Sequence, residues 1–230
     1  MQIEAETMNR LKSLMSSVSR SHAPLIARAI GGELIIDGTR FLKINVLGVK
    51  YEVKLANGDL KVDIYDPLGR GEDVSRLLTY VVKALERALQ GKLVSSKKGL
   101  ISLVQLAGGH AARLYEKKII DFLTIEMDGS LREEVEKVVK DVGGVLVEHL
   151  SATWGFEVTP VDGVRVRIAF WQGEEGMPSG AAVLVGEEVK EINVRIEELI
   201  TMIEMVVNRF VLFYRRESGR PPRLFHSLYL

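Results

Sequence analysis

Two adjacent carboxylates, Glu174 and Glu175, stand in the most heavily punctuated stretch of the chain, Gln172-Gly173-Glu174-Glu175-Gly176-Met177-Pro178-Ser179-Gly180. Neighbouring carboxylates on a glycine-flanked turn have the chemistry to hold a cation or to act as acid and base. Just upstream, Arg165 and Arg167 alternate with Val164, Val166 and Ile168 and share one strand face with Trp171. That face can clamp an anion or pair with the glutamates. The competing reading is a solvated turn beside an outer charged face. Trp171, Glu174, Glu175, Arg165 and Arg167 are the candidate ligand-binding residues, with no catalytic role assigned to any of them.

A weaker anion candidate is Gly108-Gly109-His110, which opens a helical pattern carrying Arg113, Lys117 and Lys118. Free amides at a helix start hold phosphates, but the spacing matches neither the P-loop nor the dinucleotide fingerprint. A tight turn that lets the helix pack explains both glycines as well. The four histidines, His22, His110, His149 and His226, show no ligand spacing such as i, i+4, and there is no cysteine. Disulfides, thiolate zinc sites, iron–sulfur clusters and thiol catalysis are therefore excluded. No metal and no cofactor are expected.

The run Phe170-Trp171-Gln172-Gly173-Glu174-Glu175-Gly176-Met177-Pro178-Ser179-Gly180-Ala181 resembles the signature Phe/Leu-Trp-x-Gly-Asp-Glu-Glu-Phe-Pro-x-x-Ala of the domain of unknown function 3786 family. A thinner likeness covers most of the chain, including Gly108-Gly109 and the Leu77-Leu78-x-Tyr80 helix. Three positions depart from the pattern. Glu174 replaces the favoured Asp, Gly176 an acidic residue, and Met177 a Phe. The resemblance implies an acidic turn that matters in relatives, an intracellular protein and no assigned activity. Iron–sulfur segments joined to some members have no counterpart here.

The elements that must position these residues follow from periodicity. Val164 to Trp171 alternates as a half-apolar strand, and Ala181 to Val185 is apolar on both faces, as in a buried strand. A helix from about Val194 to Tyr214 is apolar around most of its circumference, which places it in a core or an oligomer interface. Upstream, period-two runs between Leu34 and Ile64, turned by Asp37-Gly38 and Asn57-Gly58, describe an antiparallel meander of about four strands. Helices are expected from Ile3 to Arg20, where Pro24 ends the pattern, and from Asp73 to Gln90, stopped by Gly91. Leu100 to Leu106 reads as strand or helix. Ser130 and Glu133 have capping-box spacing ahead of a helix that Gly143-Gly144 end, and Val145 to Leu150 reads as a strand.

The fold class is α+β: an N-terminal meander with a covering helix, then a mixed α/β lobe around a long C-terminal apolar helix. Helices bracket sheets instead of alternating with parallel strands, so a doubly wound fold is rejected. One domain over 1–230 is expected, with two lobes at 1–91 and 92–230.

Lys plus Arg and Asp plus Glu are each 31, so the net charge is zero. That argues against duplex nucleic acid as a dominant partner. A local basic patch (Arg209, Arg215, Arg216, Arg220 and Arg223, with Phe213, Tyr214 and Phe225 between them) is the one feature suited to single strands. Compensation of a helix dipole and a solvated tail is the preferred account. No membrane span and no secretion signal are read, so the expected location is the cytoplasm. Four Gln, five Asn and many paired charges lean towards a thermophile. The preferred function is a non-catalytic binding or interaction module that forms a homo-oligomer or meets a protein partner. The alternative is an enzyme or small-ligand binder using the turn Trp171–Pro178.

Overall fold

In the computed structural model, which describes residues 3–94, 96–107, 109–192 and 194–224, the alternating stretch 33–65 forms four antiparallel strands. They are β1 (Glu33–Asp37), β2 (Thr39–Val46), β3 (Val49–Ala56) and β4 (Asp59–Tyr65), paired in chain order. Val49, Tyr51, Val53 and Leu55 of β3 are buried while Lys50, Glu52 and Lys54 face water. This is the period-two alternation of a sheet packed on one face. The fold is α+β, as the sequence predicts.

Contacts divide the chain into two units, Met1–Ser95 with Pro160–Asp162, and Ser96–Thr159 with Gly163–Leu230. In the first unit, α1 (Ala5–Ser17), α2 (Ala23–Ile30) and α3 (Gly71–Leu89) accompany the meander. The Tyr51 hydroxyl donates to the Val74 carbonyl at 2.7 Å, tying β3 to α3. Pro24 does not end a helix but opens α2, in whose first turn a missing N–H leaves no bond unmade.

The second unit carries a five-stranded sheet in the order β5-β9-β8-β7-β6. Its strands are β5 (Leu100–Ser102), β6 (Val145–Leu146), β7 (Trp154–Val161), β8 (Val164–Trp171) and β9 (Gly180–Gly186). The helices are α4 (Leu103–Ala107), α5 (Gly109–Met127), α6 (Arg132–Asp141) and α7 (Ile196–Ser218). The ambiguous 100–106 run resolves into both readings, β5 and then α4. The strand expected to reach Leu150 stops at Leu146. Beyond it, Leu150 and Ser151 take φ of 37° and 59°, a left-handed conformation that cannot continue a strand.

Only one arm of the capping box forms, and it is shifted by one residue, because Leu131 at the N-cap has no side-chain acceptor. Glu134 reaches back to the Leu131 N–H at 3.3 Å, while the Ser130 hydroxyl accepts the indole N–H of Trp154 at 2.8 Å. Trp154 is buried, and its N–H needs that partner more than the exposed helix start does.

Trp154, Phe156, Phe170 and Phe210 form the aromatic centre of this unit. Trp154 stacks on Phe170 with centroids 5.0 Å apart, and Phe156 meets Phe210 at 4.5 Å. The apolar circumference of α7 is used here: Leu199, Ile203, Val206, Val207, Phe210, Val211 and Phe213 are all buried. The apolar face of β8 and this helix therefore share one core, and the opposite face of β8 carries Arg165, Arg167 and Trp171.

Candidate functional site

The acidic turn joins β8 to β9 and is set by Gly173. A Cβ there would lie 2.5 Å from the Met177 carbonyl oxygen and 2.6 Å from the Ser179 nitrogen, so only glycine fits. The turn closes through Met177 N–H to the Glu174 carbonyl at 2.9 Å. Gly176 takes φ +85°, again a glycine conformation. Glu174 and Glu175 project from this loop into solvent.

What anchors the turn is a residue from outside it, Asp128, just past the C-terminal end of α5. Its Oδ1 accepts the Ser179 hydroxyl at 2.6 Å and the Gln172 amide at 2.9 Å. Its Oδ2 accepts Arg223 Nη1 at 3.0 Å. The Ser179 Oγ also accepts the Gly173 N–H at 2.8 Å, and the Gln172 carbonyl oxygen accepts the Gly129 N–H at 2.7 Å. Donors from Ser179, Gln172 and Arg223 hold Asp128 below the usual carboxylate range. It is therefore a fixed anion, and a poor base.

Around this network lies an open cleft of about 590 Å³. Thr124, Ile125 and Asp128 form one side, Gly173, Glu174, Met177 and Pro178 another, and Arg223 a third. The volume falls within the range of small-molecule sites. Glu174 lines the cleft, whereas Glu175 is an exposed neighbour that does not.

Arg165 and Arg167 do not join them. Both turn to Glu157 on β7. Arg165 Nη1 lies 3.2 Å and Arg167 Nη2 2.8 Å from Glu157 Oε2, and Lys97 Nζ is 2.9 Å from Oε1. Arg165 also grips Glu188 through Nε at 2.6 Å and the Lys98 carbonyl through Nη2 at 2.6 Å. Arg165 and Glu157 are each only 5% exposed, and Glu188 is 3%. Gly186 leaves the space that the Glu188 carboxylate fills; a Cβ there would stand 2.2 Å from Oε1. Burial opposes ionisation of Glu157 and Glu188, but the cationic donors outweigh it and hold both below the ordinary glutamate range. Through these bonds the cluster ties 97–98 to the sheet, and both arginines are engaged with Glu157 and Glu188 instead of facing the turn.

Trp171 likewise serves structure: its indole N–H donates to the Leu150 carbonyl at 3.1 Å, and its ring meets His149 edge-on at 6.0 Å. Burial and the nearby Arg167 charge hold His149 below its ordinary value. In the weaker anion candidate, Gly108 lies outside the described residues. Gly109 begins α5, and Arg113 on its first turns is exposed. Two turns into α5, the Glu116 carboxylate accepts the Val104 N–H at 2.9 Å and so caps the start of α4. His226 and Phe225 also lie outside the described residues. Among the described residues, no three His, Asp or Glu side chains group as metal ligands. No helix among them is long and apolar enough to cross a membrane.

In the basic C-terminal patch, Arg209 is buried, Arg215, Arg220 and Arg223 bond to the end of α5 and the turn after it, and Arg216 is exposed. Arg215 forms a two-point pair with the Glu126 carboxylate at 2.6 and 3.0 Å. Arg220 donates to the Gly129 carbonyl at 2.7 Å and stacks over the Tyr214 ring. Arg223 donates to the Ile125 carbonyl as well as to Asp128.

Asp128 and Arg223 both line the cleft. The sequence assigns Asp128 no role, and it reads Arg223 only within the basic C-terminal patch, preferably as solvated tail. Only the polar side chains of Gln172 and Ser179, inside the signature turn, hint that something must answer them.

A family model described as "Domain of unknown function (DUF3786)" matches residues 23–209. No curated protein and no solved structure matches the chain. The match covers most of its length, and the chain belongs to this family.

Proposed function

We propose that this member of the DUF3786 family is a non-catalytic binding protein whose site is the cleft beside the signature turn and whose ligand is a small molecule. The observation that carries this reading is the tie of Asp128 to Ser179, Gln172 and Arg223. It fixes three separate segments around one volume of about 590 Å³. Preorganised polar groups beside apolar side chains, here Ile125, Met177 and Pro178, are what a small-molecule site needs. Binding is favoured over catalysis because three donors fix the carboxylate and lower its affinity for a proton, which suits a counter-charge and not a general base.

Native mass spectrometry of the gently purified protein tests the reading together with amide NMR during titration with a small-fragment mixture. The expected result is a retained excess mass, or fragment-induced shifts, centred on the Gly173 and Ser179 amides. Fragment shifts that cluster elsewhere and spare these amides would overturn it.

A further inference from the structure

Within the cleft, Glu174 and Arg223 are opposite charges lining the same volume without pairing. Arg223 uses Nη1 for both of its bonds, to the Ile125 carbonyl at 3.1 Å and to Asp128 Oδ2 at 3.0 Å. A guanidinium has five N–H donors. The Nε–H and both Nη2 hydrogens of Arg223 therefore meet no acceptor among the described residues, and its side chain is 43% exposed. The Glu174 carboxylate has no ion pair or side-chain hydrogen bond among the described residues either. Two flexible opposite charges on one small wall would ordinarily collapse onto each other. Asp128 prevents this by pinning Arg223, while Gly173 and the Met177–Glu174 backbone bond hold the turn that carries Glu174.

Charge counting narrows the ligand. Asp128 and Arg223 neutralise one another, leaving Glu174 as an unanswered anion and three donors of Arg223 as an unanswered fork. A simple anion would meet uncompensated repulsion from Glu174, and a simple cation would leave the fork empty. Resting on the binding reading above, we infer that the ligand is a small zwitterion, amino-acid-like, with its carboxylate on the free edge of Arg223 and its ammonium on Glu174. Ile125, Met177 and Pro178 cover the hydrocarbon between the two ends. The guanidinium fork matches a carboxylate at two points, whereas Glu174 needs only a point charge.

The test uses the full chain and ω-amino acids as a ruler: 4-aminobutyrate, 5-aminovalerate and 6-aminohexanoate, with butylamine and butyrate as the single-ended controls. Affinity is read at low salt from the Gly173 and Ser179 amide shifts. One chain length is expected to bind about fivefold or more tightly than either control, since each exposed pair contributes modestly and the two act together. Glu174→Gln, on a solvent-facing turn, should reduce that probe to the affinity of butyrate, and Arg223→Gln to that of butylamine. A control that binds as tightly as the best ω-amino acid, or a Glu174→Gln variant that leaves its affinity unchanged, overturns the zwitterion while the cleft reading survives. If no probe and no fragment moves these amides, both fall.

Discussion

Ser179 Oγ lies 2.6 Å from Asp128 Oδ1, so a turn in the β8–β9 connection is held by the end of a helix 51 residues earlier. The same oxygen accepts the Gly173 N–H, so one hydroxyl closes the loop and moors it. Ser179→Ala should lower stability by about 1 kcal/mol, less than the ~1.5–3 kcal/mol of a hydrogen bond to a charged group because the site is half-exposed. The effect on the cleft should be larger than on the fold. Measured by thermal melting with amide exchange, Gly173 and Gln172 should lose protection before the core does. Unchanged protection at Gly173 would show that the backbone holds the turn without Ser179.

Gly173 and Gly176 are both glycine for different reasons, and substitution separates them. At Gly173 a methyl group meets backbone at 2.5 to 2.8 Å, so Gly173→Ala must open the turn, at a cost of about 1–3 kcal/mol. At Gly176 nothing stands within 4 Å, and only φ +85° resists a side chain. Gly176→Ala should cost about 1 kcal/mol and leave the cleft intact. Urea midpoints together with fragment binding distinguish the two cases. Equal loss of binding in both variants would remove steric closure of the turn as the reason for glycine at Gly173.

Elements with a local cause were legible from sequence. The meander follows from alternation and three Gly-containing turns, at Gly38, Gly48 and Gly58, and α7 follows from an apolar circumference that had to be buried. The turn was legible as a candidate because glycine, proline and acid coincide there. What resisted reading was partnership across distance. Arg165 and Arg167 looked available because Glu157, Glu188 and Lys97 come from β7, from just beyond β9 and from the segment before β5. Asp128 went unread, and Arg223 looked like part of a solvated basic tail, for the same reason. Periodicity assigns a side chain to a face, whereas its partner is chosen by the path of another segment. Trp154 taking the Ser130 hydroxyl, and so displacing the capping box, is the same failure on a small scale.

Among the described residues, Arg165 is the one cation that contacts both Glu157 and Glu188, and its removal should change the response to acid. In the intact protein, Glu157 and Glu188 have folded pKa values below the ordinary glutamate value. Their contribution to stability is thus present above about pH 4.3 and is lost as the pH falls through the lower folded values. Arg165→Met leaves Glu188 with backbone donors only, and burial then pushes its pKa up. The variant should lose about 3–5 kcal/mol at neutral pH, the usual cost of stranding one partner of a buried pair. It should also regain stability on mild acidification, opposite in sign to the wild type. Adding Glu188→Gln should recover part of the neutral-pH loss by removing the stranded charge. Urea midpoints from pH 7 downward check both signs; parallel acid limbs for the two proteins would mean that Glu188 finds another donor.

His149 offers a separate titration at the outer face of the sheet. Burial first, and the Arg167 charge second, lower its pKa from the ordinary 6.5. A histidine depressed in this way is neutral when folded, so its stabilising contribution is present above about pH 6.5 and declines as protonation is forced below it. Arg167→Gln removes the charge and leaves the burial. Glu157 keeps Lys97 and Arg165, so the buried cluster should survive the change. The His149 midpoint, followed by its ring-proton shifts, should then rise towards 6.5 without passing it, because desolvation continues to oppose the charged form. Trp171 should report the same transition, since its ring lies edge-on to His149 at 6.0 Å. A midpoint that does not move would assign the whole depression to burial, and a midpoint above 6.5 would mean that Glu157 or Glu148 had turned to pair with the imidazolium.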